Sequence, residues 1–163
     1  MMRKTSFAPV TAPGTRVLVL GSLPGERSLA EGRYYAHPRN LFWHLAGRVL
    51  DRNLPDMDYA GRIEALLGGG IGLWDTVASA RRQGSLDADL RDVEHNPLGL
   101  LIARLPDLRA VAFNGKASAR IGAPLLAGSG LRQVVLPSSS PAHAAMPLAE
   151  KERAWLELRE ILA

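Results

Sequence analysis

Four short apolar runs recur along the chain, at residues 16–22, 71–77, 108–114 and 133–137, with little polar alternation inside them. Runs of that length are the pattern of strands covered on both faces, as in a parallel sheet. The first centres on Val17-Leu18-Val19-Leu20 and is closed by Gly21. Between the runs, apolar positions recur at helical spacing. Residues 40–51 place Leu41, Phe42, Leu45, Ala46, Val49 and Leu50 on one stripe. Residues 58–67 end in Gly68-Gly69-Gly70, a helix stop. Asn96-Pro97 starts a short helix that Pro106 stops, and another spans 116–121 before Pro124 interrupts it. A last helix over 148–162 is expected to bury Leu148, Trp155, Leu158 and Leu162. Strands alternating with helices predict an α/β fold, a parallel sheet with helices on both faces. Residues 78–95 break the pattern. They are polar, carry Arg81, Arg82 and Arg91, show little apolar periodicity, and predict a long loop.

At 163 residues and 47% apolar content, the chain is expected to form one domain, 1–163, with a real core. It has no cysteine, which excludes disulfides, a thiol nucleophile and thiolate metal sites. His37, His44, His95 and His143 fall at no metal-ligand spacing, so no metal is expected. No apolar run approaches the roughly 20 residues of a membrane span, and no signal peptide precedes Val17. The expected location is cytoplasmic. The formal charge is +4, but residues 1–48 hold seven Lys/Arg against two Asp/Glu, while the remainder holds thirteen against fourteen. A polyanion such as nucleic acid would be drawn to the basic N-terminal third, although an Arg-rich composition has a blander reading.

In an open parallel sheet, ligands bind beyond the carboxyl ends of the strands. Four segments converge there: residues 21–25, 74–76, 113–115 and 137–143. The turn Gly21-Ser22-Leu23-Pro24-Gly25 lets backbone approach a ligand, but it has neither the spacing nor the lysine of a phosphate-binding P-loop, and GxGxxG does not occur. Tyr34-Tyr35-Ala36-His37-Pro38 sets two aromatics beside a rigid step, suited either to stacking on a nucleobase or to core packing. Asn40 reads as a helix N-cap or as an amide that positions water or a base edge. Asp75 ends its strand where a carboxylate can accept from base N–H groups, activate water or cap a turn. Ser138, Ser139, Ser140 and His143 lie on a polar loop whose hydroxyls and amides suit phosphate contacts. No GxSxG elbow accompanies these serines.

Five segments together, GSLPGERSL (21–29), YYAHPRNLFW (34–43), LWDTVASARRQGSLD (73–87), FNGKASA (113–119) and LPSSSPAHA (136–144), resemble the uracil-DNA glycosylase superfamily. The resemblance is strongest to its hypoxanthine-DNA (DNA-deoxyinosine) glycosylase branch, family 6, and the YAHPRNLFW block is also similar to the mismatch-specific uracil-DNA glycosylases. It implies a three-layer α/β/α fold with a central four-stranded parallel sheet. It also implies hydrolysis of the N-glycosidic bond of a flipped, deaminated base in DNA, hypoxanthine and possibly uracil. On that resemblance Asn40 takes the principal catalytic part and Tyr35 stacks on the base. Ser22 and Leu23 offer backbone amides to the base, Asp75 reads its edge, and Ser138, Ser139, Ser140 and His143 grip DNA. Two positions depart from the superfamily: Leu23 stands where an Asp or Asn often orders the attacking water, and Leu136 where a His or Asn often begins the second motif. With both polar groups absent, hypoxanthine is the preferred substrate. Lysines are sparse, so a monofunctional enzyme without cofactor is expected, acting on DNA as a monomer in a cytoplasmic, nucleoid-associated setting. The alternatives are a catalytically silent lesion-binding module of the same fold and a small hydrolase using one of the loop serines.

Overall fold

The computed structural model describes residues 3–163. In chain order the elements are β1 (Arg3–Thr5), β2 (Val17–Gly21), α1 (Glu26–Glu31), α2 (Phe42–Leu50), α3 (Tyr59–Gly68), β3 (Ile71–Asp75), β4 (Val77–Arg81), β5 (Arg91–His95), α4 (Leu98–Ile102), β6 (Ala110–Asn114), α5 (Lys116–Leu125), β7 (Arg132–Leu136), α6 (Leu148–Leu156) and α7 (Leu158–Leu162). The four expected apolar runs form one sheet of order β3-β2-β6-β7. Every pair in it is parallel, with Val17 opposite Ile71 and Ala110, and Ala110 opposite Arg132.

Strand pleating divides the core. Val17 and Val19 face one side with Ile71, Leu73, Ala110 and Ala112, where Phe42, Leu45, Leu66, Trp155 and Leu158 from α2, α3, α6 and α7 cover them. Leu18 and Leu20 face the other side with Val111 and Phe113, beneath Leu98, Leu126 and the partly buried Ala119 and Ala123. Each large side chain fully buried in this way contributes about 1.5–3 kcal/mol. Helices thus close both faces, the three-layer α/β/α arrangement.

Three expectations need correction. Residues 78–95 are not a loop throughout: β4 and β5 pair antiparallel with each other, and β4 pairs with β1, giving a second sheet of order β1-β4-β5. The chain passes between sheets at Thr76, and the Thr76 and Val77 amides donate to the Gly21 and Ser22 carbonyls at 2.8 and 3.0 Å. The second sheet therefore springs directly from the turn after β2. The helix starting at Lys116 is not cut before Pro124 but carries it in its last turn. The C-terminal helix is broken at Glu157, and Leu148, expected to be buried, is 42% exposed at its start. Among the described residues, no helix is long and apolar enough to cross a membrane.

Candidate active site

Because the four strands of the main sheet run parallel, their carboxyl ends deliver the 21–25 turn, Asp75, Asn114 and the 138–142 loop to one edge. There they line a single cavity of about 280 Å³ together with Tyr35 and Asn40. This is close to the lower end, roughly 300 Å³, of small-molecule pockets.

Asn40 lies just before α2, and its Oδ1 accepts from the Phe42 amide at 2.9 Å. The cap position of the helix is Leu41, which makes no side-chain cap bond, so Asn40 stands one residue before it and closes a turn onto the first helical amide instead of capping as expected. With Oδ1 so engaged, the carboxamide is oriented, and its Nδ2 is left as a donor at the cavity wall. One half of the side chain anchors and the other is available.

Tyr34 and Tyr35 divide the two roles open to them. Tyr34 is 4% exposed, and its hydroxyl donates to the Ala8 carbonyl at 2.9 Å, a core position. Tyr35 adopts a left-handed backbone (φ 54°) that turns its ring against Phe42, with centroids 4.0 Å apart and planes 12° from parallel. Its hydroxyl accepts from Asn114 Nδ2 at 3.3 Å. Burial, and next the charge of Asp75, hold the Tyr35 phenol well above its usual range, so it stays neutral.

Asp75 ends β3 with 4% exposure, and its Oδ2 is buried without a partner among the described residues. Burial first, and then the nearby Asp87 carboxylate, push its pKa up to about 7, partly opposed by Arg82. The carboxyl group occupies space that only glycine leaves free. A Cβ at Gly21 would lie 2.6 Å from Asp75 Oδ1 and 3.4 Å from the Tyr35 hydroxyl.

Ser22 and Leu23 both line the cavity. The Leu23 side chain, however, turns inward against Val77 and Ala80, which fixes the turn on the second sheet. Ser22 donates its hydroxyl proton to Asp87 Oδ1 at 2.6 Å.

The loop serines separate. Ser139 is 1% exposed; its amide donates to Asn114 Oδ1 at 2.9 Å, and its Oγ accepts from Asn114 Nδ2 at 2.9 Å. Its carbonyl accepts from the Leu41 amide. Ser139 thus helps to hold the loop to β6 while still lining the cavity. Ser138 and Ser140 are less buried, accepting from the Ser140 and Ala142 amides at 3.1 and 3.2 Å. His143 is exposed and stands outside the cavity wall, which ends at Ala142.

Several contributors lie in segments marked in the sequence but were given no role there. Asn114 joins Tyr35 to the Ser139 backbone, and Gly115 beside it has φ 102° with Ser138 Cβ 3.1 Å from where a side chain would begin. Lys151, 1% exposed, donates to the Ser138 and His143 carbonyls at 2.8 Å each, so a buried ammonium ties the loop to α6. Arg82, fully buried, donates to the Leu23, Pro24 and Gly84 carbonyls and stands 4.0 Å from Asp87 Oδ1. Ser85, Leu86 and Asp87, from the connection between β4 and β5, complete the cavity wall. Strand-end placement marked the segment holding Asn114, and the resemblance covered Arg82 and Asp87 within 73–87, but no residue-level signal set these three apart. Among the described residues, no group of three or more His, Asp or Glu is placed to hold a metal ion.

Comparison with known proteins agrees with this geometry. The sequence profile of the Uracil DNA glycosylase superfamily matches residues 8–159. A hypoxanthine DNA glycosylase of Methanosarcina barkeri is 38% identical over 156 residues, covering 96% of this chain and 98% of that one. A hypoxanthine DNA glycosylase of Methanosarcina acetivorans is 40% identical over 142 residues, 87% of this chain and 89% of the relative. Among solved structures, the solution NMR structure of a candidate uracil DNA glycosylase from Methanosarcina acetivorans superposes with a TM-score of 0.90 at 37% identity, covering 99% of this chain and all of that one.

Proposed function

The chain belongs to the uracil-DNA glycosylase superfamily, and from that premise we propose that it excises hypoxanthine from DNA. It is a DNA glycosylase, a hydrolase of N-glycosidic bonds. The observation that carries the choice of base is the pairing of two polar groups in one cavity. Asn40 presents an oriented amide donor, and Asp75 presents a buried carboxyl oxygen with no partner of its own among the described residues.

Hypoxanthine offers complementary edges, with acceptors at O6 and N7 and a donor at N1–H. A flipped inosine nucleotide would set its base beside Tyr35, with N1–H toward Asp75 and an acceptor edge toward Asn40. As the bond to C1′ lengthens, the sugar takes on oxocarbenium character and negative charge builds on the departing purine. A fixed donor at Asn40 stabilises that charge in the way an oxyanion hole does, where one donor is worth about 3–4 kcal/mol. Adenine reverses that edge, with an acceptor at N1 and an amino donor in place of O6, so it does not match an acceptor at Asp75 together with a donor at Asn40. Uracil also carries a ring N–H, so it is a secondary substrate of the same pocket.

Outside the pocket, we assign phosphate contacts to Ser138, Ser140 and the exposed His143, on a loop held by Lys151 and Asn114. The protein acts as one domain and as a monomer, without metal or cofactor. Single-turnover cleavage of duplexes carrying one hypoxanthine or one uracil tests the reading. Abasic product from the hypoxanthine duplex, faster than from uracil and lost in Asn40→Ala while DNA binding persists, is the expected result. Tight lesion binding without product would make the chain a recognition module and leave Asn40 with its turn alone.

A further inference from the structure

Leu23, in the turn after β2, packs against Val77 and Ala80 and offers no polar group to a water in the cavity. A positioned group that orients the water and takes its proton speeds such a hydrolysis by about 10²–10⁴-fold. Three carboxyl groups line the cavity, those of Glu26, Asp75 and Asp87. Glu26 is drawn outward by Lys4 at 3.3 Å. Asp75 is 4% exposed and ends its strand in the cavity wall, so solvent water has little access to it. Asp87 is different: its side chain is 35% exposed, so water reaches it from solvent. Its Oδ1 is fixed by the Ser22 hydroxyl at 2.6 Å, one residue from Leu23. The buried Arg82 guanidinium, 4.0 Å away, faces it with a positive charge while donating to the Leu23 and Pro24 carbonyls. Its hydrogen bond from Ser22 falls on Oδ1 alone, and Oδ2 accepts none among the described residues.

We propose that Asp87, carried in by the connection between β4 and β5, is the water-activating carboxylate that the turn after β2 lacks. This rests on the glycosylase reading. In the step, Oδ2 accepts a proton from water as the water oxygen bonds to C1′. The C1′–N9 bond breaks with its electron pair going to the purine, and solvent then protonates that purine. The proton on Asp87 returns to solvent, and the products are an abasic sugar bearing a C1′ hydroxyl and free hypoxanthine. Ser22 and Arg82 are positioning residues in this arrangement, since neither touches the reacting atoms.

The test is single-turnover hypoxanthine release by the full chain, with Asp87→Asn, Asp87→Ala and Asp75→Asn alongside. Asp87→Asn keeps an acceptor for Ser22 and the shape of the turn but removes the counter-charge facing Arg82, so its thermal unfolding is measured beside its rate. Its rate is expected to fall by about 100-fold or more, within the range for loss of a general base, with affinity for lesion DNA unchanged. Formate added to Asp87→Ala should restore part of the rate, which a purely structural carboxylate would not allow. Wild-type rates in Asp87→Asn, or no response of Asp87→Ala to formate, overturn the proposal. So does a loss confined to Asp75→Asn. Failure of the wild-type chain to release hypoxanthine would instead sink the glycosylase reading, so the two failures are separable.

Discussion

Replacing Asp75 by asparagine should stabilise the protein above neutral pH and leave its stability at pH 4 nearly unchanged. The carboxyl group is almost fully buried, one oxygen has no partner among the described residues, and its pKa rises from 3.8 to about 7 on folding. Between those values the folded state binds the proton that the unfolded state has released. Stability therefore falls as pH rises from about 4 to about 7, then levels off once both states are ionised. A shift of roughly three pKa units at 1.36 kcal/mol each corresponds to about 4 kcal/mol. That figure is an upper bound, because any water admitted to the cavity screens the charge. The carboxamide introduced by Asp75→Asn has no such charge to desolvate. In a protein of this size 1 kcal/mol moves Tm by about 2–4 °C. Asp75→Asn should thus gain several degrees at pH 8 and little at pH 4, measured by thermal unfolding or urea titration across that range. An equal difference at both pH values would refute the burial argument, because a change in packing alone carries no proton linkage.

The geometry yields three further expectations. Gly21→Ala, which would set a Cβ 2.6 Å from Asp75 Oδ1, should reduce hypoxanthine release by at least about tenfold, since a misplacement of about 1 Å costs up to 100-fold; single-turnover rates decide it, and an unaffected rate would mean the carboxyl group moves freely. Arg82→Met leaves the Leu23, Pro24 and Gly84 carbonyls without their donor and should cost several kcal/mol in a urea titration, at about 1–3 kcal/mol for each buried group left unsatisfied. Lys151→Met should leave the sheet intact but raise amide exchange across residues 138–143 and weaken DNA binding. Hydrogen-exchange mass spectrometry with a binding titration separates these effects, and unchanged exchange would show that the loop does not depend on the ammonium.

Three strands of the main sheet were legible as buried apolar runs, whereas β7, Arg-Gln-Val-Val-Leu at the sheet edge, was legible only through Val-Val-Leu and, against expectation, is not covered on both faces. The sites at its carboxyl edge followed from topology. Asn40 and Asp75 could be singled out because each stands where an apolar segment meets a turn. The second sheet was not legible for the opposite reason. β5, Arg-Asp-Val-Glu-His, has only Val93 sheltered from solvent, and β1 is three residues long. Their hydrogen bonds come from pairing with β4, a partner supplied by the fold and not by periodicity. In the sequence Arg82 is one of several cations in a polar stretch, yet in the fold it is fully buried. A guanidinium with five donors is tolerated inside only because three carbonyls and a carboxylate converge on it, and that convergence exists only after the two sheets are joined.

The same junction explains why a turn with an apolar residue at position 23 can still border a polar site. Leu23 points into the contact between the turn and the second sheet, with Val77 and Ala80 as neighbours. A polar side chain there would have to be desolvated among apolar groups, at a cost of about 1–3 kcal/mol without a partner. Leucine therefore fastens the second sheet against the turn, and the connection between β4 and β5 brings Asp87 back to within 2.6 Å of Ser22. The apolar packing of residue 23 and the placement of a carboxylate at residue 87 both follow from this junction. The pair makes a sharp prediction. Leu23→Asp, which installs a carboxylate in the turn itself, should not rescue Asp87→Asn, because the same change breaks the apolar contact that holds the cavity wall. Single-turnover hypoxanthine release by the double variant decides it, and recovery toward the wild-type rate would show that the two positions are interchangeable and that the second sheet is not needed for the chemistry.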